Sequence, residues 1–144
     1  MTRPAARMTS TEYVEACDAL RARHTGPRRR DEDRLQTSIV EFLRLALPDH
    51  VTFAIPNAAR RSVVEGAAMK RTGTVAGIPD LAIIAPLGQA HFLEVKTAKG
   101  KPSQAQREVH ARFATLGIPF AVVRSINDVR TALAAWNIET REVA

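Results

Sequence analysis

A chain of 144 residues with 45% hydrophobic and 25% charged side chains is long and apolar enough to bury one domain-sized core, so it needs no disulfide or structural metal for stability. The single cysteine, Cys17, excludes an internal disulfide, and no apolar run reaches a membrane helix or a signal-peptide core, so a soluble, cytoplasmic protein with no membrane partner is expected. The net charge of +6, carried by arginine far more than lysine, excludes little but favours nucleic acid, because guanidinium forks suit phosphate; a merely basic surface is the alternative.

Tyr13, Cys17 and Leu20 recur at helical spacing within residues 9–24 and predict an amphipathic helix, with "TGPRRR" at residues 25–30 as the break after it. Residues 1–30 therefore read as an N-terminal helical arm and residues 31–144 as the folded domain. In the next segment Leu35, Ile39, Phe42, Leu43 and Ala46 share one helix face that stops before Pro48. Asp31 is the expected N-cap, its acid suiting the helix dipole. "VTFAI" at residues 51–55 reads as a short strand, and the loop "PNAARRSV" leads into a short helix through "VEGAAMKR". Gly73 and Gly77 permit turns on the approach to the next strand.

That strand is "IPDLAIIA", residues 78–85, and the tight turn "PLGQ" joins it as a hairpin to "AHFLEVKT", residues 90–97. A helix is expected from Ser103 to Leu116, with Val109, Phe113 and Leu116 inward and Gly117 as its stop. The strand "PFAVVR" follows at residues 119–124. Ser125 then caps a last helix with a capping-box-like start completed by Asp128, ending near Trp136, which belongs to the core rather than to a base-stacking platform. This order predicts an α/β fold, a mixed central sheet flanked by helices.

The hairpin carries three charges where an apolar interior is expected. Glu94 and Lys96 share one strand face by the period of two, and counting back from the turn sets Asp80 roughly across from Glu94, at about 5 Å for paired positions. Two carboxylates that close repel unless a cation or a proton lies between them. An oxygen-only site suits Mg²⁺ or Mn²⁺, which polarises a phosphoryl oxygen and acidifies water, the two needs of phosphodiester hydrolysis. Lys96 stands ready to orient or help deprotonate that water, or to neutralise charge on the phosphate. Singly, Glu94 and Lys96 also read as solvated charges on an exposed face, and Asp80 as a turn residue after Pro79; together, in a basic chain, they point to chemistry. His24, His50, His91 and His110 show no metal-ligand spacing, and no glycine-rich phosphate loop appears, which argues against an ATP-driven enzyme.

Pro79-Asp80 followed by Glu94-Val95-Lys96 resembles the PD-(D/E)XK nuclease motif. The ordered set "DEDRLQ", "IPNAAR", "MKRTGTVAGIPDL", "FLEVKTAKGKPSQAQ" and "LGIPFAVVRSINDV", within residues 31–130, is more narrowly similar to virus-type replication–repair nuclease (VRR-NUC) domains of the stand-alone phage or bacterial type. The resemblance implies a restriction-endonuclease-like core. Asp80, Glu94 and the Val95 carbonyl would ligate the metal, and Lys96 would be the catalytic lysine. Glu32 matches an N-terminal acid that reaches the metal through water or completes a second site; a helix-dipole role is its alternative. Gln106 matches a glutamine on the following helix that contacts the site or the scissile phosphate, or is an ordinary exposed residue. Asn57 and Lys70 match family positions, and with Arg60, Arg61, Lys99 and Lys101 they make the expected nucleic-acid-binding set; a solvated polar loop is the alternative for that cluster. The implied function is a Mg²⁺- or Mn²⁺-dependent deoxyribonuclease, a homodimer cutting Holliday-junction or other branched DNA in repair. Flap, nicking or restriction-like cleavage stands beside it, as does a catalytically silent nucleic-acid-binding module with a nuclease fold.

Overall fold

A computed structural model describes residues 27–56 and 63–142, and the order of elements over them follows the one expected. Helix α1 (Pro27–Ala46) is followed by strand β1 (Val51–Ala54), helix α2 (Val63–Arg71) and strand β2 (Leu81–Ile84). Strand β3 (Ala90–Val95), helix α3 (Gln104–Leu116), strand β4 (Phe120–Val123) and helix α4 (Ile126–Ala135) complete the chain. The helix expected over residues 9–24, with Cys17, lies outside the described residues.

The sheet is mixed, in the order β1-β2-β3-β4, with β1/β2 and β2/β3 antiparallel and β3/β4 parallel. Leu81 pairs with Leu93 and Ile83 with His91, so the two-residue period sends Leu81, Ile83, His91, Leu93 and Val95 to one face. Ala82, Phe92 and Glu94 take the other. The first face receives α1 and α4. Ile39, Leu43, Leu81, Ile83, Leu93, Val123, Val129 and Leu133 meet there with no exposed surface, and each such burial contributes roughly 1.5–3 kcal/mol of transfer free energy. Trp136 packs partly buried at its edge, with its ring 5.0 Å from His91. The second face is covered over β3 and β4 by α3, where Phe113 meets Phe92 at 4.9 Å and His110 stacks on Phe120 at 4.7 Å.

Three local expectations are corrected. "TGPRRR" does not break the chain throughout, because α1 already begins at Pro27, and Asp31 lies inside the helix rather than capping it. Proline's fixed φ and missing N–H suit the first helical position, and arginine is a good helix former, so the segment starts the helix. Leu116 is 68% exposed although Val109 and Phe113 are buried. Phe113 already reaches Phe120, the first residue of β4, so one turn later the helix has overrun the sheet. Ser125 caps α4 by accepting from the Asp128 N–H at 3.1 Å, but the Asp128 carboxylate accepts from Arg124 N, one residue before the cap. Gly117 ends α3 as expected. Among the described residues no helix is long and apolar enough to cross a membrane.

Candidate active site

Carried one position beyond Leu81↔Leu93, the β2/β3 register sets Asp80 opposite Glu94, where counting from the turn puts it. Both residues face the α3 side of the sheet. Asp80 is tied down twice by backbone: its Oδ2 accepts from Val95 N at 2.9 Å, and its carbonyl accepts from Ile55 N at 2.8 Å. The carboxylate is thus held at the mouth of the hairpin by the strand that carries its partner.

Glu94 has no exposed surface. Its Oε1 accepts from Lys96 Nζ at 2.9 Å and from Gln106 Nε2, while Oε2 has no hydrogen-bond partner among the described residues. Burial, and then the charge of Asp80, push the Glu94 carboxyl up to about 7, against the opposing pull of Lys96. A carboxyl stripped of water beside another carboxylate gives up its proton less readily than a solvated one.

Gln106 reaches Glu94 because of how α3 begins. Ser103 is the N-cap, its hydroxyl accepting from Gln106 N, and Ser103 N donates to Gln106 Oε1 at 2.7 Å. Only the amide oxygen can accept that N–H, so Nε2 is left to face Glu94. The Gln106 side chain is thus half-buried against Glu94 rather than free on the helix surface. The Ser-x-x-Gln signature at 103–106 is the signal that orients Gln106, and sequence reasoning used Ser103 only as a helix start.

Asp80, Val95, Lys96, Gln106 and Ser103 line a cavity of about 600 Å³. Helix α1 contributes Glu32, with Asp33 and Gln36 one and four residues on; α2 contributes Lys70. The Glu32 carboxylate also lies against the loop after β3, since a Cβ on Gly100 would sit 3.3 Å from its Oε1. Lys99 and Lys101 are exposed on that same loop, whose carbonyls at Gly100 and Pro102 accept from Arg124 and Arg107, each at 2.9 Å. Asn57, Arg60 and Arg61 lie outside the described residues. His91 is buried on the opposite sheet face, away from the site.

Asp80 and Glu32 bring carboxylate oxygens to the cavity wall, and behind them Glu94 Oε2 is buried with no hydrogen-bond donor of its own. That set fits a hard divalent cation. Among the described residues no group of three His, Cys, Asp or Glu side chains gathers around one point, so carbonyl and water oxygens would have to fill most of the shell of any ion held there.

A family model for the VRR-NUC domain matches residues 19–127. A solved VRR-NUC domain is 27% identical, with a TM-score of 0.52, over 74% of this chain and 97% of its own. A second, a VRR-NUC domain protein, shares the fold at 24% identity and a TM-score of 0.57, over 73% of this chain and 86% of its own. No curated protein matches the chain. With the family model matched over most of its length, the chain belongs to the VRR-NUC family, a nuclease-type family with a restriction-endonuclease-like α/β fold.

Proposed function

We propose that the chain is a metal-dependent endonuclease that hydrolyses DNA phosphodiester bonds at the Asp80–Glu94–Lys96 site, with Mg²⁺ or Mn²⁺ as cofactor. The observation that carries this reading is the Glu94 carboxylate, fully buried, with one oxygen held by Lys96 and Gln106 and the other without a donor. A buried acceptor left unsatisfied costs about 1–3 kcal/mol, a cost removed when a cation takes the place of the missing donor.

Asp80 and Glu94 would hold the ion, with the Val95 carbonyl beside them and Glu32 reaching it through water from the α1 wall. When bound, the ion supplies polarisation of a phosphoryl oxygen and acidification of the attacking water. Lys96 is 13% exposed and anchored to Glu94, so its ammonium is fixed in orientation at the cavity floor, where it orients that water and offsets charge gathering on the phosphate. Gln106 keeps Glu94 turned so that Oε1 stays with Lys96 and Oε2 points elsewhere. Lys70, Lys99 and Lys101, together with Asn57, Arg60 and Arg61, bind the DNA backbone, consistent with the net charge of +6. In its specific form the substrate is branched or junction DNA and the enzyme a homodimer.

The experiment incubates the purified chain with four-way junction, flap and linear duplex DNA in Mg²⁺, Mn²⁺ or EDTA. Metal-dependent cleavage, strongest on the junction and lost in Asp80→Ala and Lys96→Ala, is expected. Absence of metal-dependent cleavage, or variants that cut as well as wild type, sinks the catalytic reading; junction binding without cleavage identifies a silent binding module instead.

A further inference from the structure

The turn that delivers Asp80 rests on the helix that delivers Gln106. Gly77, three residues before Asp80, has φ +83, and a Cβ built on it would lie 2.4 Å from both the carbonyl carbon and the carbonyl oxygen of Ala105 and 2.6 Å from Gln106 N. All three are backbone atoms of the first turn of α3, so no side-chain rotation relieves the collision. Gly73, in the same segment, has φ +96 and nothing within 4 Å of such a Cβ. The pair separates two reasons for glycine: both positions need left-handed backbone, and Gly77 alone of the two needs the space.

We infer that Gly77 is a positioning residue: its bare Cα lets the turn before Asp80 seat on the first turn of α3, and that seating sets where Gln106 holds Glu94. The contacts run without a gap. Gly77 meets the backbone of Ala105 and Gln106. Gln106 Oε1 is pinned by Ser103 N, and its Nε2 donates to Glu94 Oε1. On the other side Asp80 is pinned by Val95 N, next in chain to Glu94. The two carboxylates are thus set against one another partly by a backbone-on-backbone contact remote from both. Any side chain at position 77 forces the Asp80 turn and the first turn of α3 apart, and a misplacement of about 1 Å at a reacting group lowers turnover on the order of 100-fold.

The kinetic consequence rests on the nuclease reading; the contact does not. In wild-type protein, NMR should show nuclear Overhauser effects between the Gly77 α protons and the backbone protons of Ala105 and Gln106, and their absence overturns the inference whatever the activity. In cleavage assays Gly77→Ala should lose about 100-fold in kcat with KM little changed, while Gly73→Ala, which meets backbone strain but no collision, loses stability and keeps a kcat within a few-fold of wild type. Combined with Gln106→Ala, the loss should be far less than the product of the two single losses, because both act through Glu94. Equal effects of the two glycine variants, or losses that multiply, overturn it. Should wild type cut nothing, the nuclease reading fails by itself, and the Overhauser contacts, together with weaker Mn²⁺ binding by Gly77→Ala than by Gly73→Ala in calorimetry, decide this one.

Discussion

Glu94 and His91 are three residues apart on one strand, face opposite ways, and titrate with opposite consequences. The Glu94 carboxyl is raised from 4.5 to about 7 by burial and by Asp80, so the metal-free fold takes up a proton that the unfolded chain has released. Stability from that proton is fully present below pH 4.5 and is lost as pH rises through about 7. Urea unfolding in EDTA should therefore show wild type losing stability between pH 5 and about 8 relative to Glu94→Gln, which carries no titrating group there; parallel curves would show that Glu94 is not held protonated. Burial lowers the His91 imidazole below its ordinary 6.5, with the nearby His50 adding to it, so its contribution is present above 6.5 and is lost as pH falls through the depressed value. His91→Leu should accordingly flatten the acid limb of the same curve, and a limb unchanged from wild type would assign acid sensitivity elsewhere.

At the level of elements, α3 does two jobs with one capping box. Its cap satisfies N–H groups that a helix start leaves orphaned, and the same glutamine reaches into the site. Ser103→Ala removes the hydroxyl that accepts from Gln106 N but leaves the Ser103 N–H to Gln106 Oε1 bond in place. It should cost about 1 kcal/mol in denaturant unfolding and little in kcat, whereas Gln106→Ala should cost more in kcat than its stability loss accounts for. Similar kcat losses in the two would mean that the cap, and not the grip on Glu94, is what matters. The hairpin was legible from sequence for a related reason: a period of two and a short turn leave little freedom in register, so Asp80 opposite Glu94 follows from counting. The onset of α1 was not legible, because proline and arginines support both a break and a helix start, and packing of Ile39, Phe42 and Leu43 on the sheet favours the longer helix.

Over the whole molecule, basic groups and the acidic site share one rim. Lys70 lines the cavity with Asp80, and Lys99 and Lys101 stand exposed on a loop that Arg107 and Arg124 hold by its carbonyls. If these lysines meet phosphates, each released counterion contributes about one unit to the slope of log Kd against log salt. Lys99→Ala/Lys101→Ala, measured in EDTA on uncut DNA, should lower that slope by about two and weaken binding without regard to base sequence. An unchanged slope would remove the loop from the interface.

The sequence by itself determined the chemistry on offer: a basic chain, an α/β order, and two carboxylates and a lysine on one hairpin. These follow from composition and from short-range periodicity, which need no knowledge of distant contacts. Tertiary structure alone decided what Glu94 is. Its complete burial, the amide of Gln106, twelve residues on, turned toward it by a helix cap, the oxygen left without a donor, and the glycine that lets α3 close on the Asp80 turn all depend on separate elements meeting at one place. Local periodicity can set a side chain on a face; what presses against that face is a matter of packing between elements.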